Sequence, residues 1–351
     1  MKVAPFVKHG LLRRAPATPV SLILLVTSRC NARCVHCFFA DELNQKPDLL
    51  TVEDCERLSQ ELSGLCQLYL GGGEPFLRKD LTEICRVFDR RNRVANVTIP
   101  TNGYLVDRTV RMVEEILETC SFDLMVSLSV DGTQELHDTI RRVPGGFAKL
   151  CRTYEGLHSL RGRYPEFRIQ VTTTIMRGNI RHLPRLVEWV KENMPDLSAH
   201  NFELVRGRPN EHCKQLPAME DLRAFERVHR EMLVEANGYI PGSRTKSWLA
   251  RRMKANLFAE CLQVLEERRQ VFDCVGGTGM GVVDYKGDVF LCELLPPVGN
   301  ILGDSFRAAW NSPEAESVRR TIRSKECFCT HSCFQVNSNL MNPRSYWKML
   351  R

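Results

Sequence analysis

The sequence predicts an α/β fold: an incomplete parallel (β/α)6 barrel followed by a small C-terminal hairpin-plus-helix module. Three observations lead there. Short apolar runs alternate with amphipathic stretches of helical period through the first two thirds of the chain. Glycine-rich or polar turns follow several of those runs. The clustered cysteines gather near the two ends, at Cys30, Cys34 and Cys37 and then at Cys274, Cys292, Cys327, Cys329 and Cys333.

The first strand is the apolar run 21–26, and Cys30-Asn-Ala-Arg-Cys34-Val-His-Cys37 follows it directly. Thr51 reads as the N-cap of a helix in which Val52, Cys55, Leu58 and Leu62 recur at helical spacing, with Glu53 acidic in the first turn and Gly64 closing it. The second strand covers 65–70. Helices are then expected over 81–89, 107–119, 147–160 and 180–192, and strands over 94–99, 123–130, 167–175 and 200–205. Six strands separated by helices imply a parallel sheet, whose ligands lie at the carboxyl ends of the strands. Helical patterns resume over 219–270 as a connector and lid. A hairpin turning at Tyr285-Lys-Gly-Asp288 and one amphipathic helix over 305–322 complete the pattern. The expected boundaries are an N-terminal arm over 1–19, the core over 20–215, a helical connector over 216–272, the module over 273–340 and a tail over 341–351.

With 351 residues, 43% hydrophobic and 26% charged, the chain has the composition of a globular protein. Its net charge of +7 is spread among acids, so no nucleic-acid partner is expected. The basic start, with Lys8, Arg13 and Arg14, runs into a Pro-rich stretch and not into a long apolar segment. Neither a secretory signal nor an anchor is expected there, and membrane contact is not expected. Fifteen cysteines without an export signal argue for a reducing, cytoplasmic setting and for metal or redox use. Cys55, Cys66, Cys85, Cys120 and Cys151 fall in apolar patterns, where free cysteine acts as a small hydrophobe.

The chemistry is carried by the C-x3-C-x2-C spacing at Cys30, Cys34 and Cys37. A structural zinc site takes four ligands, whereas three thiolates on a [4Fe-4S] cube leave one iron open to a small molecule. A zinc site completed from elsewhere is the alternative. Further motifs occupy the strand ends, Gly71-Gly72-Gly73-Glu74-Pro75, Pro100-Thr101-Asn102-Gly103 and Ser127-Leu-Ser129-Val-Asp131-Gly132, with His137-Asp138-Thr-Ile-Arg141 downstream of the last. Each is weak alone, since glycine runs and Asn-Gly pairs are common turns.

Together these motifs resemble the radical S-adenosylmethionine (radical SAM) family, which has a TIM-like partial barrel. The resemblance implies that the open iron chelates SAM and that an electron from the cluster cleaves it to a 5'-deoxyadenosyl radical, which abstracts a substrate hydrogen. It implies that His36 packs near the adenine, that Gly72, Gly73 and Glu74 meet the methionine amino group, and that Asn102 ends the third strand at the ligand. Ser129 and Asp131 then face the ribose, and Arg141 the SAM carboxylate. Arg142 stands where the family has glycine, which leaves two arginines competing for the inward place. Asn179 and the threonines of the fifth strand, with 204–206 on the sixth, would line the adenine and substrate side.

The C-x12-G-x4-C spacing from Cys274 to Cys292, with Cys327-Phe-Cys329-Thr-His-Ser-Cys333 beyond, resembles the SPASM or twitch extension. That implies an auxiliary [4Fe-4S] cluster. Five cysteines, or six with Cys261, fit one cluster, with Cys274, Cys292 and Cys333 joined by Cys329 or Cys327. Zinc on the same thiols, with His331 available, is the rival. The expected substrate is a peptide; alternatives are a carbohydrate or lipid-linked metabolite, or a non-catalytic iron-sulfur scaffold. A reductant such as flavodoxin or ferredoxin is the expected redox partner. No catalytic residue is assigned, although Tyr104, Glu203, Arg206 and Asp284 lie within reach of the site if the barrel curls as inferred.

Overall fold

Strand β1 (Ser21–Thr27) is buried along its whole length because it is paired on both edges. On one side runs β2 (Gln67–Gly72), followed in parallel by β3 (Asn96–Thr101), β4 (Asp123–Ser129), β5 (Phe167–Ile175) and β6 (Ala199–Leu204). On the other side β7 (Met280–Val283) also pairs in parallel with β1 and is continued by the antiparallel β8 (Asp288–Phe290) and β9 (Gly299–Asn300). The computed structural model describes residues 6, 17–45, 49–206, 215–235, 244–343 and 345. In these residues the strands form one open sheet with β6 and β9 at its edges. The expected six parallel strands are there, and the C-terminal hairpin extends the same sheet. Lys8, Arg13, Arg14 and most of the expected tail lie outside the described residues.

The helices cover the sheet in chain order. They are α1 (Val52–Glu61), α2 (Leu81–Asn92), α3 (Val106–Thr119), α4 (Gln134–Arg141), α5 (Gly146–Leu160) and α6 (Leu183–Asn193). Then follow α7 (Met219–Glu235), α8 (Arg244–Glu267), α9 (Phe306–Trp310), α10 (Pro313–Arg323) and α11 (Ser332–Met341). Strand β5 shows how two environments are written into one segment. Phe167, Ile169, Val171 and Ile175 join the core shared with the helices, whereas Arg168, Gln170, Thr172 and Thr174 are half-buried on the opposite face. On that polar face Ser127 and Thr172 hydroxyls meet at 2.8 Å, and Gln170 donates to Ser127.

Local chemistry sets the boundaries. Thr51 does cap α1, but its reciprocal partner is Asp54, not Glu53: the Asp54 amide donates to Thr51 Oγ1 and the Thr51 amide to Asp54 Oδ2. The single helix expected over 305–322 is two, because Ser305 caps α9 and Ser312 caps α10 with Pro313 at its first position. The helix expected to start at Ile180 opens with a 3-10 turn over Ile180–His182. Two helices were not foreseen, α4 and α11. The second buries Gln335, Asn337, Ser338 and Asn339 beside Phe334, so it carries no apolar stripe to read.

Among the described residues no helix is long and apolar enough to cross a membrane.

Candidate cluster and cofactor site

The loop after β1 is fixed by backbone and side-chain contacts to the ends of three neighbouring elements. At the end of β2 the Gly73 amide donates to Thr27 O (2.8 Å) and the Glu74 amide to Arg29 O (2.8 Å). A Cβ at Gly72, whose φ is +114°, would lie 2.3 Å from Thr27 O, and one at Gly73 only 2.1 Å from Arg29 O. The glycines therefore admit the cysteine-bearing chain itself. After β3, Asn102 Nδ2 donates to Asn31 Oδ1 (2.7 Å), and at the end of α4 the Ile140 carbonyl accepts from the Val35 amide (2.8 Å). Asn44, at φ +60°, closes the far side by exchanging two hydrogen bonds with the Cys30 backbone.

Glu74 is buried beneath this loop. Its carboxylate accepts from the Phe76 and Asn102 amides and the Thr101 hydroxyl. Burial outweighs those bonds and pushes its pKa up to about 7.

The three thiols Cys30, Cys34 and Cys37 are half-buried and none is in a disulfide. Burial raises the Cys30 thiol to about 12, against a backbone bond from Ala32, with the charges of Glu74, Cys34 and Cys37 adding. Burial likewise raises Cys34, opposed by Arg141, whose Nη1 lies 3.5 Å from its sulfur. Among the described residues no three thiol, imidazole or carboxylate donors are yet drawn to metal-binding spacing. A cluster gathering these thiols displaces their protons, and soft thiolates in one loop are the donor set iron-sulfur chemistry takes.

Asp131 and Arg141, assigned by resemblance to different parts of SAM, are bound to each other. Arg141 Nε donates to Asp131 Oδ2 at 2.6 Å, and the Thr174 amide donates to Oδ1 at 2.8 Å. Burial opposes ionisation of Asp131, but Arg141, His36 and His137 prevail and hold its carboxyl below the usual range. His36 Nε2 stands 3.6 Å from the same carboxylate. Of the two competing arginines, Arg141 is the buried one. Arg142 is exposed and ends α4 in the left-handed conformation (φ +55°), which glycine adopts without strain. Ser129 ends β4, half-buried. Asn179 Nδ2 donates to the carbonyls of Asp131 and Thr174, holding the ends of β4 and β5 together.

Tyr104, Glu203, Arg206 and Asp284, the residues within reach of the site, are all engaged. The Asp131 amide donates to His137 Nδ1, so the neutral ring carries its proton on Nε2, 2.9 Å from the Tyr104 hydroxyl. Burial and the Arg141 charge lower His137 to about 4. Asp284 accepts from the Lys286 and Asp288 amides and holds the hairpin turn. Glu203 accepts from the Ser332 hydroxyl (2.6 Å) and Arg206 Nη1 (3.1 Å).

Of the C-terminal thiols, Cys274, Cys292 and Cys333 pack together against Ile23 and Leu25 of β1 and Met280 and Val282 of β7. Burial raises Cys274 to about 12 and raises Cys292 as well, with smaller contributions from the charges of Cys329 and Cys327 at the first and of Cys329, Glu293 and Cys274 at the second. Cys333, raised to about 12 by burial, has Glu203, Arg206 and Glu293 as its principal neighbours. Cys261 donates to Gln335 Oε1 at 3.1 Å. Sequence reasoning missed Glu293 and Asn44. The signal for the first was a lone acid in the apolar run 289–295, next to Cys292.

Residues 24–190 match the family described as the radical SAM superfamily, and residues 274–334 match an iron-sulfur cluster-binding domain, SPASM. The AdoMet-dependent heme synthase of Methanosarcina barkeri is 30% identical over 86% of this chain and 84% of its own length. The chain belongs to the radical SAM superfamily. It is thus an enzyme whose cofactors are SAM, a [4Fe-4S] cluster and auxiliary iron-sulfur of the SPASM type. The subtilosin biosynthesis protein AlbA of Bacillus subtilis is 24% identical over 84% of this chain and 60% of its own length. Streptococcus suis SuiB bound to its precursor peptide SuiA shares the fold, with a TM-score of 0.60 and 15% identity over 90% of this chain and 69% of that one.

Proposed function

We propose that this radical SAM enzyme holds its SAM-cleaving cluster on Cys30, Cys34 and Cys37 and an auxiliary cluster on the thiols of 274–333, and oxidises a tetrapyrrole of the heme-biosynthetic type. When bound, the first cluster and SAM supply a 5'-deoxyadenosyl radical that removes a substrate hydrogen. The chain's own residues prepare the place. Gly72, Gly73, Asn102 and Asn44 fix the loop backbone, and Arg141 compensates the thiolate of Cys34. The buried Ser127 hydroxyl, with the half-buried Thr172 hydroxyl and Gln170 amide, offers polar contacts on the face opposite the helices.

The observation that carries the substrate reading is the match to a heme synthase through nearly the whole of both chains. A peptide substrate is the second reading, favoured by the likeness to AlbA. The test is mass spectrometry of tetrapyrroles and small peptides in cells lacking the gene, paired with purified loaded protein given SAM, reductant and an iron porphyrin. A porphyrin of altered mass, formed only with SAM, is the expected result. An unchanged porphyrin alongside an accumulating unmodified peptide overturns the tetrapyrrole reading.

A further inference from the structure

The barrel strands and the C-terminal module meet across a half-buried ionic group that the proposed reaction does not use. Arg206, just past β6, donates from Nη1 to Glu203 Oε2 (3.1 Å) and from Nη2 to Glu293 Oε1 (3.2 Å). Its guanidinium lies 5.2 Å from the ring centroid of Phe38, the neighbour of Cys37. Glu293 adjoins Cys292, and its Oε1 also stands 2.7 Å from His331 Nε2, which belongs to the segment between Cys329 and Cys333. One side chain of the barrel therefore touches both cysteine-bearing regions.

The third arm of that guanidinium is the informative one. Arg206 Nε is buried and has no hydrogen-bond partner among the described residues. An arginine N–H cannot shed its proton, and leaving it unpaired in the interior forfeits its hydration without a compensating bond. The Arg206 charge bears on the thiols of both Cys329 and Cys333. Sulfur in an iron-sulfur cluster accepts N–H bonds, and such bonds, like a nearby positive charge, favour the reduced, more negative state.

We propose that Arg206 directs its Nε–H at the sulfurs of the auxiliary cluster and raises that cluster's reduction potential. Because Glu203 and Glu293 hold the other two arms, the guanidinium plane is fixed and the donor does not have to be ordered on loading. Arg206 is a positioning and tuning residue, not one that touches the transferred hydrogen. The proposal rests on the auxiliary site lying at the C-terminal thiols.

The test is an EPR-monitored redox titration of the full-length, anaerobically loaded protein and its Arg206→Met and Arg206→Lys variants, with iron counted per chain. The expected result is a lower midpoint for the auxiliary signal in Arg206→Met, an intermediate one in Arg206→Lys, and an unmoved midpoint for the SAM-responsive signal. An unmoved auxiliary midpoint in Arg206→Met at wild-type iron content overturns the proposal. So does loss of the auxiliary signal in both variants, which reveals a purely structural role. Absence of a second signal in the wild-type protein removes the site assignment itself, and is thereby told apart from failure of the tuning.

Discussion

Gly73 has no room for a side chain, and the obstacle is the carbonyl of Arg29, one residue before the first cysteine. Backbone cannot swing aside as a side-chain tip can, so Gly73→Ala must displace the cysteine loop, at a cost of about 3 kcal/mol. Gly71→Ala is the matched control, since its Cβ meets only the Leu25 side chain at an ordinary 3.5 Å. Reconstituted Gly73→Ala protein is expected to hold less than half the wild-type iron at the SAM-responsive site, and Gly71→Ala to hold the full amount. Equal loading of both variants would contradict this account of the glycine run. The residues themselves were legible: the glycines, Glu74, Asn102 and Asp131 all stand at or just beyond the strand ends where the spacing put them, and Arg141 ends α4. Their partners were not. Sequence offers no way to see that Asp131 would bind Arg141 across ten residues, or that Asn31 would meet Asn102, because such pairs are made by the fold and carry no period.

Two buried histidines lie where β6 meets α7 and α8. His200 and His229 are buried there among Phe202, Phe225 and Phe258, with Lys254 close by. Burial first, then the Lys254 charge, lowers both imidazoles to about 3. The sign follows from proton counting. Between the ordinary histidine pKa near 6.5 and 3, the unfolded chain binds protons that the folded chain refuses, so stability is full above pH 6.5 and falls as the solution is acidified. His229 Nδ1 has no partner among the described residues, so a phenylalanine sacrifices no bond at that atom. His229→Phe is expected to gain about 2 kcal/mol over wild type at pH 5 relative to the difference at pH 7.5, by urea unfolding at the two pH values. Parallel losses in both proteins would show that this histidine does not carry the acid sensitivity. Elements with an apolar stripe, such as α3 and β5, were readable almost to the residue. The break before Pro313 was not, because the hydrophobic period runs on across the two serine caps, and α11 was hidden by its asparagines and serines.

At the scale of the whole molecule, the module that carries the C-terminal thiols is an extension of the barrel sheet through β7. Helix α11 ties the parts together. Asn337 bonds Ser21 on β1 and Tyr69 on β2, Gln335 and Asn339 bond Glu260 on α8, and Ser338 accepts from the Val275 amide beside Cys274. The hairpin turn reaches the other cysteine region too, since Tyr285 Oη and Lys286 Nζ both bond Glu42, at 2.9 and 3.0 Å. Two cysteine groups nearly two hundred and forty residues apart thus share one continuous sheet as support. Sequence spacing identified both groups, but not that polar helix or the shared sheet, which follow from pairings with no local signature.

The central claim is that Cys30, Cys34 and Cys37 hold a cluster with one iron left for SAM. Oxygen-free, reconstituted protein supplied with SAM and a strong reductant should release 5'-deoxyadenosine, measured by liquid chromatography, and the Cys30→Ala, Cys34→Ala, Cys37→Ala triple variant should release none. Equal release from the triple variant would contradict it.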